Sequence, residues 1–122
     1  KDFFPRFIAI LHKGEYRNDI DEIRIEGHTS SYWSAETSQE RAYIYNMELS
    51  QNRTRNVLDF VLTNEDDTNL VKWIRMNVTA NGLSSSKLIY NKDGTQNREL
   101  SRRVEFRVKT NAEKRIAKIL GE

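Results

Sequence analysis

Two short runs carry the residue types best suited to chemistry. Gly27-His28-Thr29-Ser30 follows the alternating stretch Ile23-Arg24-Ile25-Glu26, and Asn46, Ser50 and Arg53 come together further along. They offer a guanidinium, an amide, hydroxyls and one imidazole, a set suited to holding a polar, charged ligand between a strand end and a helix. A guanidinium grips a carboxylate through two parallel N–H bonds, which a lysine cannot reproduce. The ordinary alternative is a helix arginine paired with an acid three or four residues away. Those positions hold Leu49, Ser50, Asn56 and Val57, none of them acidic, which weakens that alternative. With Ser50 as N-cap, Arg53 falls in the first helical turn, where free backbone N–H groups also favour an anion.

Bond-breaking chemistry is less well served. The other histidine, His12, lies on a different element and there is no cysteine, so a zinc site lacks ligands and no metal or cofactor is expected. Serines are plentiful, but none sits in a Gly-x-Ser-x-Gly elbow, and pairing Glu26 with Glu36 as an acid–base couple would be arbitrary. His28 is expected to be structural, tying the loop by hydrogen bonds, and the protein is expected not to be an enzyme.

The chain has 122 residues, which fits one domain with a modest core. Hydrophobic residues make up 37% and charged residues 31%, the balance of a folded soluble domain. Twenty basic and 18 acidic side chains leave a net charge of +2, too even to point to nucleic acid. A chain without thiols fits any redox compartment. No apolar run approaches the roughly 18 residues of a membrane span. A start at Lys1 suggests part of a longer protein, with any upstream membrane anchor outside this sequence.

The elements that must position these residues follow from periodicity. Asp2 to Lys13 reads as a helix with a broad apolar face, and Ile23 to Thr29 as a strand. Ser30 to Tyr45 has no clean period and reads as a long loop, or a loop containing a helical turn, of the kind often tied to function. Ser50 to Leu62 is a helix with Val57, Leu58, Val61 and Leu62 on one face. Asn64 to Arg75 is another, with Glu65, Asp66 and Asp67 in its first turn. Asn77 to Asn81 and Arg103 to Lys109 are further strands, Asp93-Gly94 marks a turn, and a capping box at Thr110 to Glu113 opens a last helix. The order predicts an α/β (α+β) sandwich, a small mixed sheet with helices packed on one face. Arg103, Glu105 and Arg107 alternate with Val104, Phe106 and Val108, so the basic run there reads as a solvated sheet face.

Four segments together resemble a known family. Ile25-Glu26-Gly27-His28-Thr29, Asn46-x-x-Leu49-Ser50-x-x-Arg53, Thr79-Ala80-Asn81-Gly82 and Arg98 with Ser101-Arg102-Arg103-Val104 follow the order and spacing of the OmpA/MotB C-terminal domain. The resemblance covers nearly all of residues 1–122. It implies a single peptidoglycan-binding domain, the C-terminal part of a longer protein. In that family the diaminopimelate of a stem peptide is held between a loop acid and a helix arginine. By position the arginine is Arg53, with Asn46 and Arg102 nearby and Thr29 and Ser30 in the loop. Ser30 stands where the family has its acid, and the 32–45 insert is longer than usual. One expectation is that the insert returns Glu36, or else Glu40, to replace the lost charge. Tyr32, Trp33, Tyr43 and Tyr45 in the insert are expected to pack onto the core, with stacking on sugars as the alternative.

The resemblance further implies a periplasmic module that anchors a membrane protein to the cell wall. Of the family's settings, MotB- and ZorB-type stator subunits, the latter serving anti-phage defence, fit better than outer-membrane proteins. A tether to the inner membrane, a homodimer and an ion-channel partner subunit would follow, without nucleic acid. The rival expectation is a periplasmic protein–protein interaction domain that kept the fold and lost the ligand.

Overall fold

The computed structural model describes residues 3–14 and 17–111. Helix α1 (Phe3–Lys13) leads through a 3-10 turn at Arg17–Asp19 into strand β1 (Ile20–His28). Helices α2 (Gln39–Asn64) and α3 (Thr68–Asn77) follow, then β2 (Val78–Gly82), a one-turn helix α4 (Arg98–Ser101) and β3 (Arg103–Thr110). The sheet has the order β2-β1-β3, with β1 parallel to β2 and antiparallel to β3. This is the mixed sheet with helices on one face that the alternation predicts. The expected C-terminal helix lies outside the described residues.

Strand alternation divides the sheet into an apolar face and a charged one. Ile23 and Ile25 pair with Val78 and Ala80 on one side and with Val108 and Phe106 on the other. They bury against Ile8, Val61, Leu70 and Ile74 from the helices, with Phe7 against Phe106. The opposite face carries Arg24, Glu26 and His28 beside Arg107, Glu105 and Arg103.

Helix α2 corrects the sequence reading. It runs for 26 residues from an N-cap at Ser38, whose hydroxyl accepts from the Arg41 amide, so residues 39–45 are helical rather than loop. Ser50 lies inside the helix and Arg53 is far from its first turn, which removes the helix-terminus contribution to anion binding there. The buried line is Ala42, Asn46, Ser50, Thr54 and Val61. Mostly small and polar, it gives no hydrophobic period, while Tyr43, Ile44 and Tyr45 face outward.

Small residues let α2 lie directly on the sheet. Gly27 and Gly82 are register partners on β1 and β2. A Cβ on Gly27 would meet the Ser50 carbonyl oxygen at 2.8 Å, and one on Gly82 would meet the Gln51 amide nitrogen at 2.5 Å. Helix α3 starts from Asp67, whose carboxylate accepts from the Asn69 and Leu70 amides. The acids expected in its first turn therefore precede it, Asp67 as the cap. No helix among the described residues is long and apolar enough to cross a membrane.

Candidate functional site

The C-terminal end of β1 enters a loop held from three sides. The Thr29 amide donates to the Ser84 carbonyl at 2.9 Å, and the Thr29 hydroxyl donates to the Ser30 carbonyl at 2.8 Å. Ser31 exchanges two hydrogen bonds with the Gln96 side chain, at 3.0 and 2.7 Å. The Asn46 amide donates from α2 to the Tyr32 carbonyl at 3.1 Å. Thr29, Ser30 and Asn46 are all buried. Their polar groups thus shape the loop.

Ser84 is the hub that sequence reasoning missed. Its hydroxyl donates to the Tyr43 carbonyl at 2.7 Å, and its amide donates to the Ser50 hydroxyl at 3.1 Å. It sits at φ 52°, a left-handed conformation uncommon for a side-chain-bearing residue. The residue couples the end of β2, the end of β1 and α2. A serine in a Ser-Ser-Ser run carries no sequence signal of that role.

Arg53 is exposed, and among the described residues no carboxylate pairs with it. Gln51, Arg55 and Leu58 line a hollow with Thr79 to Leu83 of the β2 side. At about 100° per residue, Arg53 projects from the opposite flank of α2, in line with Leu49 and Tyr45 one and two turns before it. The sheet order puts β3 on that flank. Arg102, also exposed, stands where α4 passes into β3, and Arg98 one turn earlier lies over the Tyr32 ring at 4.5 Å. Loop, α2 flank and α4 thus form one basic, aromatic surface suited to anionic groups.

Glu36 does not join Arg53. It is exposed on the turn from Ser34 to Thr37, where those two hydroxyls hydrogen-bond, ahead of the Ser38 cap. The helical rise separates the start of α2 from Arg53 by roughly 20 Å, beyond what the two side chains can bridge around one amino-acid head group. Glu40, in the first turn of α2, shares that distance.

The aromatic insert also departs from expectation. Tyr32, Trp33 and Tyr45 keep 47%, 43% and 39% of their surface exposed instead of packing onto the core. Trp33 and Tyr45 meet at a ring-centroid distance of 5.2 Å and a 46° tilt, and Arg41 lies over Tyr45 at 5.3 Å.

His28 lies on the other face of the sheet. Its Nε2 is 2.9 Å from a Glu105 oxygen and 3.8 Å from a Glu26 oxygen, without the alignment of a hydrogen bond. Burial first, and the Arg103 guanidinium second, push its pKa below the usual histidine value, against the pull of Glu105 and Glu26. The ring therefore joins strand to strand rather than tying the loop. Glu26, His28 and Glu105 bring three ligand atoms within 4.8 Å of one another. Arg107 binds Glu26 at 2.7 Å, Arg24 approaches it at 3.5 Å and Arg103 approaches Glu105 at 3.5 Å. Three guanidiniums already balance the two carboxylates, so the cluster works as an ion network and would repel a divalent cation.

The fold, a small mixed sheet with helices packed on it, is that of MotB periplasmic domains. Two structures of the periplasmic domain of Helicobacter pylori MotB share the fold, each at 22% identity. The first has a TM-score of 0.57, covering 97% of this chain and 68% of that one; the second has 0.56, covering 95% and 64%. No protein-family model matches the sequence. The Zorya protein ZorB of Escherichia coli is 44% identical over 121 residues, covering 99% of this chain and 51% of that protein. The chain thus spans about half the length of the curated relative it matches.

Proposed function

We propose that this domain binds peptidoglycan without catalysis, taking a stem-peptide carboxylate on Arg53 and so anchoring a larger protein to the cell wall. The observation that carries the reading is Arg53 itself. It is an exposed guanidinium on the flank of α2 beside the strand-end loop, with no carboxylate partner among the described residues. Arg102 adds positive charge at the start of β3, while Thr29, Ser30 and Asn46 fix the loop. Ser30 stands where the resemblance places the acid for the diaminopimelate ammonium, and Glu36, on the turn ahead of α2, stands too far from Arg53 to replace it. The grip is therefore one-sided, through the carboxylate.

The likeness to ZorB and to MotB periplasmic domains supports a stator-type parent. In such a parent the domain would lie in the periplasm, tethered to the inner membrane, in a homodimer associated with an ion-channel subunit. The test is sedimentation with purified sacculi. The wild-type chain is expected to co-sediment and Arg53→Ala to remain in the supernatant. Ser30, which is buried and uncharged, favours a second reading, a protein–protein interaction domain that lost the ligand. Equal recovery of the two proteins would support that reading instead.

A further inference from the structure

We propose that Trp33 and Tyr45, with Tyr32 beside them, form a saccharide subsite on which a peptidoglycan sugar stacks while Arg53 holds the stem peptide. The inference rests on the peptidoglycan reading above and extends it from the peptide to the glycan.

Aromatic side chains held at the surface in a group call for an occupant. These rings are fixed there by specific contacts. The Asn46 amide holds the Tyr32 carbonyl, Arg98 lies over the Tyr32 ring, Trp33 abuts Tyr45, and Arg41 lies over Tyr45. A braced group of amphipathic rings with charged and amide neighbours fits a sugar better than it fits an aliphatic protein surface. A pyranose offers one C–H face for stacking and a rim of hydroxyls for polar neighbours, which Arg41 and Arg98 supply.

Spacing connects this group to Arg53. Tyr45, Leu49 and Arg53 follow one another at four-residue intervals along one flank of α2, which puts Tyr45 roughly 12 Å from Arg53 along the axis. In a muropeptide the diaminopimelate is the third residue from the sugar, and three extended residues span roughly 10 Å. One ligand can therefore reach both sites, with its peptide running past Leu49. A sugar contact also offsets the absence of a carboxylate at Ser30.

The experiment compares a soluble disaccharide–tripeptide muropeptide with the same tripeptide lacking sugar, by calorimetry on the wild-type chain and on Trp33→Ala, Trp33→Phe and Arg53→Ala. The wild type is expected to bind the muropeptide about tenfold more tightly than the tripeptide, the scale of one good stacking contact. Trp33→Ala should remove that advantage and leave tripeptide affinity unchanged, while Trp33→Phe retains most of it. Arg53→Ala should weaken both ligands. Equal affinity of the wild type for the two ligands overturns the saccharide subsite and leaves the Arg53 clamp standing. Equal loss of both ligands in Trp33→Ala also overturns it, by marking the ring as scaffold. If the wild type binds neither ligand, the Arg53 reading falls as well.

Discussion

His28 illustrates how a residue's chemistry depends on its strand partners. Glu26 on β1 and Arg103, Glu105 and Arg107 on β3 surround the buried ring, and its pKa lies below 6.5 in the folded state. The unfolded chain therefore takes up the proton at higher pH than the folded one. Stability contributed by the neutral ring is fully present above pH 6.5 and declines as pH falls from there through the folded value. Thermal unfolding followed between pH 7.5 and 5 is expected to show the melting temperature falling with acidity. His28→Gln should flatten that part of the profile, and an unchanged slope would assign the effect to other groups. The sequence reading attaches His28 to the loop, whereas the structure sets it between strands. The registers that set it opposite Arg103 and bring Glu105 to its ring are long-range, and nothing local to Gly27-His28-Thr29 encodes them.

At the scale of elements, the seating of α2 on the sheet governs the site, because it sets where Arg53 and Tyr45 project. Gly27 and Gly82 permit that seating, and each substitution to alanine should force backbone or packing apart. Overpacking of this kind costs about 1–3 kcal/mol or more. Gly82→Ala is expected to be the worse, since its Cβ would lie 2.5 Å from the Gln51 nitrogen, against 2.8 Å between a Gly27 Cβ and the Ser50 carbonyl oxygen. The check is the urea midpoint at unchanged m-value, and equal midpoints for wild type and Gly82→Ala would refute the close approach. The strands were legible because β1 and β3 alternate cleanly. The first part of α2 was not, because its buried positions are Ala42, Asn46 and Ser50 while its outward ones are Tyr43, Ile44 and Tyr45. A reading based on apolar period inverts such a helix. Placing the start at Ser50 then moved Arg53 into a first turn it does not occupy and turned the aromatic residues into loop. The same inversion makes the outward Tyr43 and Tyr45 read as residues that pack onto the core.

At the scale of the whole molecule, the order of four motifs was enough to anticipate the fold, whereas the composition of the site depended on how its elements meet. Loop, α2 flank and α4 meet only in the fold, and the proposed ligand would touch all three. Binding there should consequently stabilise the entire domain. A ligand that binds only the folded chain contributes about 2.7 kcal/mol at a hundredfold excess over its Kd. For a domain of this size, that corresponds to a melting-temperature rise on the order of 10 °C. Scanning fluorimetry with the muropeptide should show this rise in the wild type. Arg53 is exposed and unpaired among the described residues, so Arg53→Ala should melt at the wild-type temperature without ligand and show little rise with it. Because the proposed grip is an exposed guanidinium on a carboxylate, the rise should also shrink as salt increases, while the melting temperature without ligand changes less. A rise that persists in Arg53→Ala, or that is indifferent to salt, would place the ligand elsewhere on the fold.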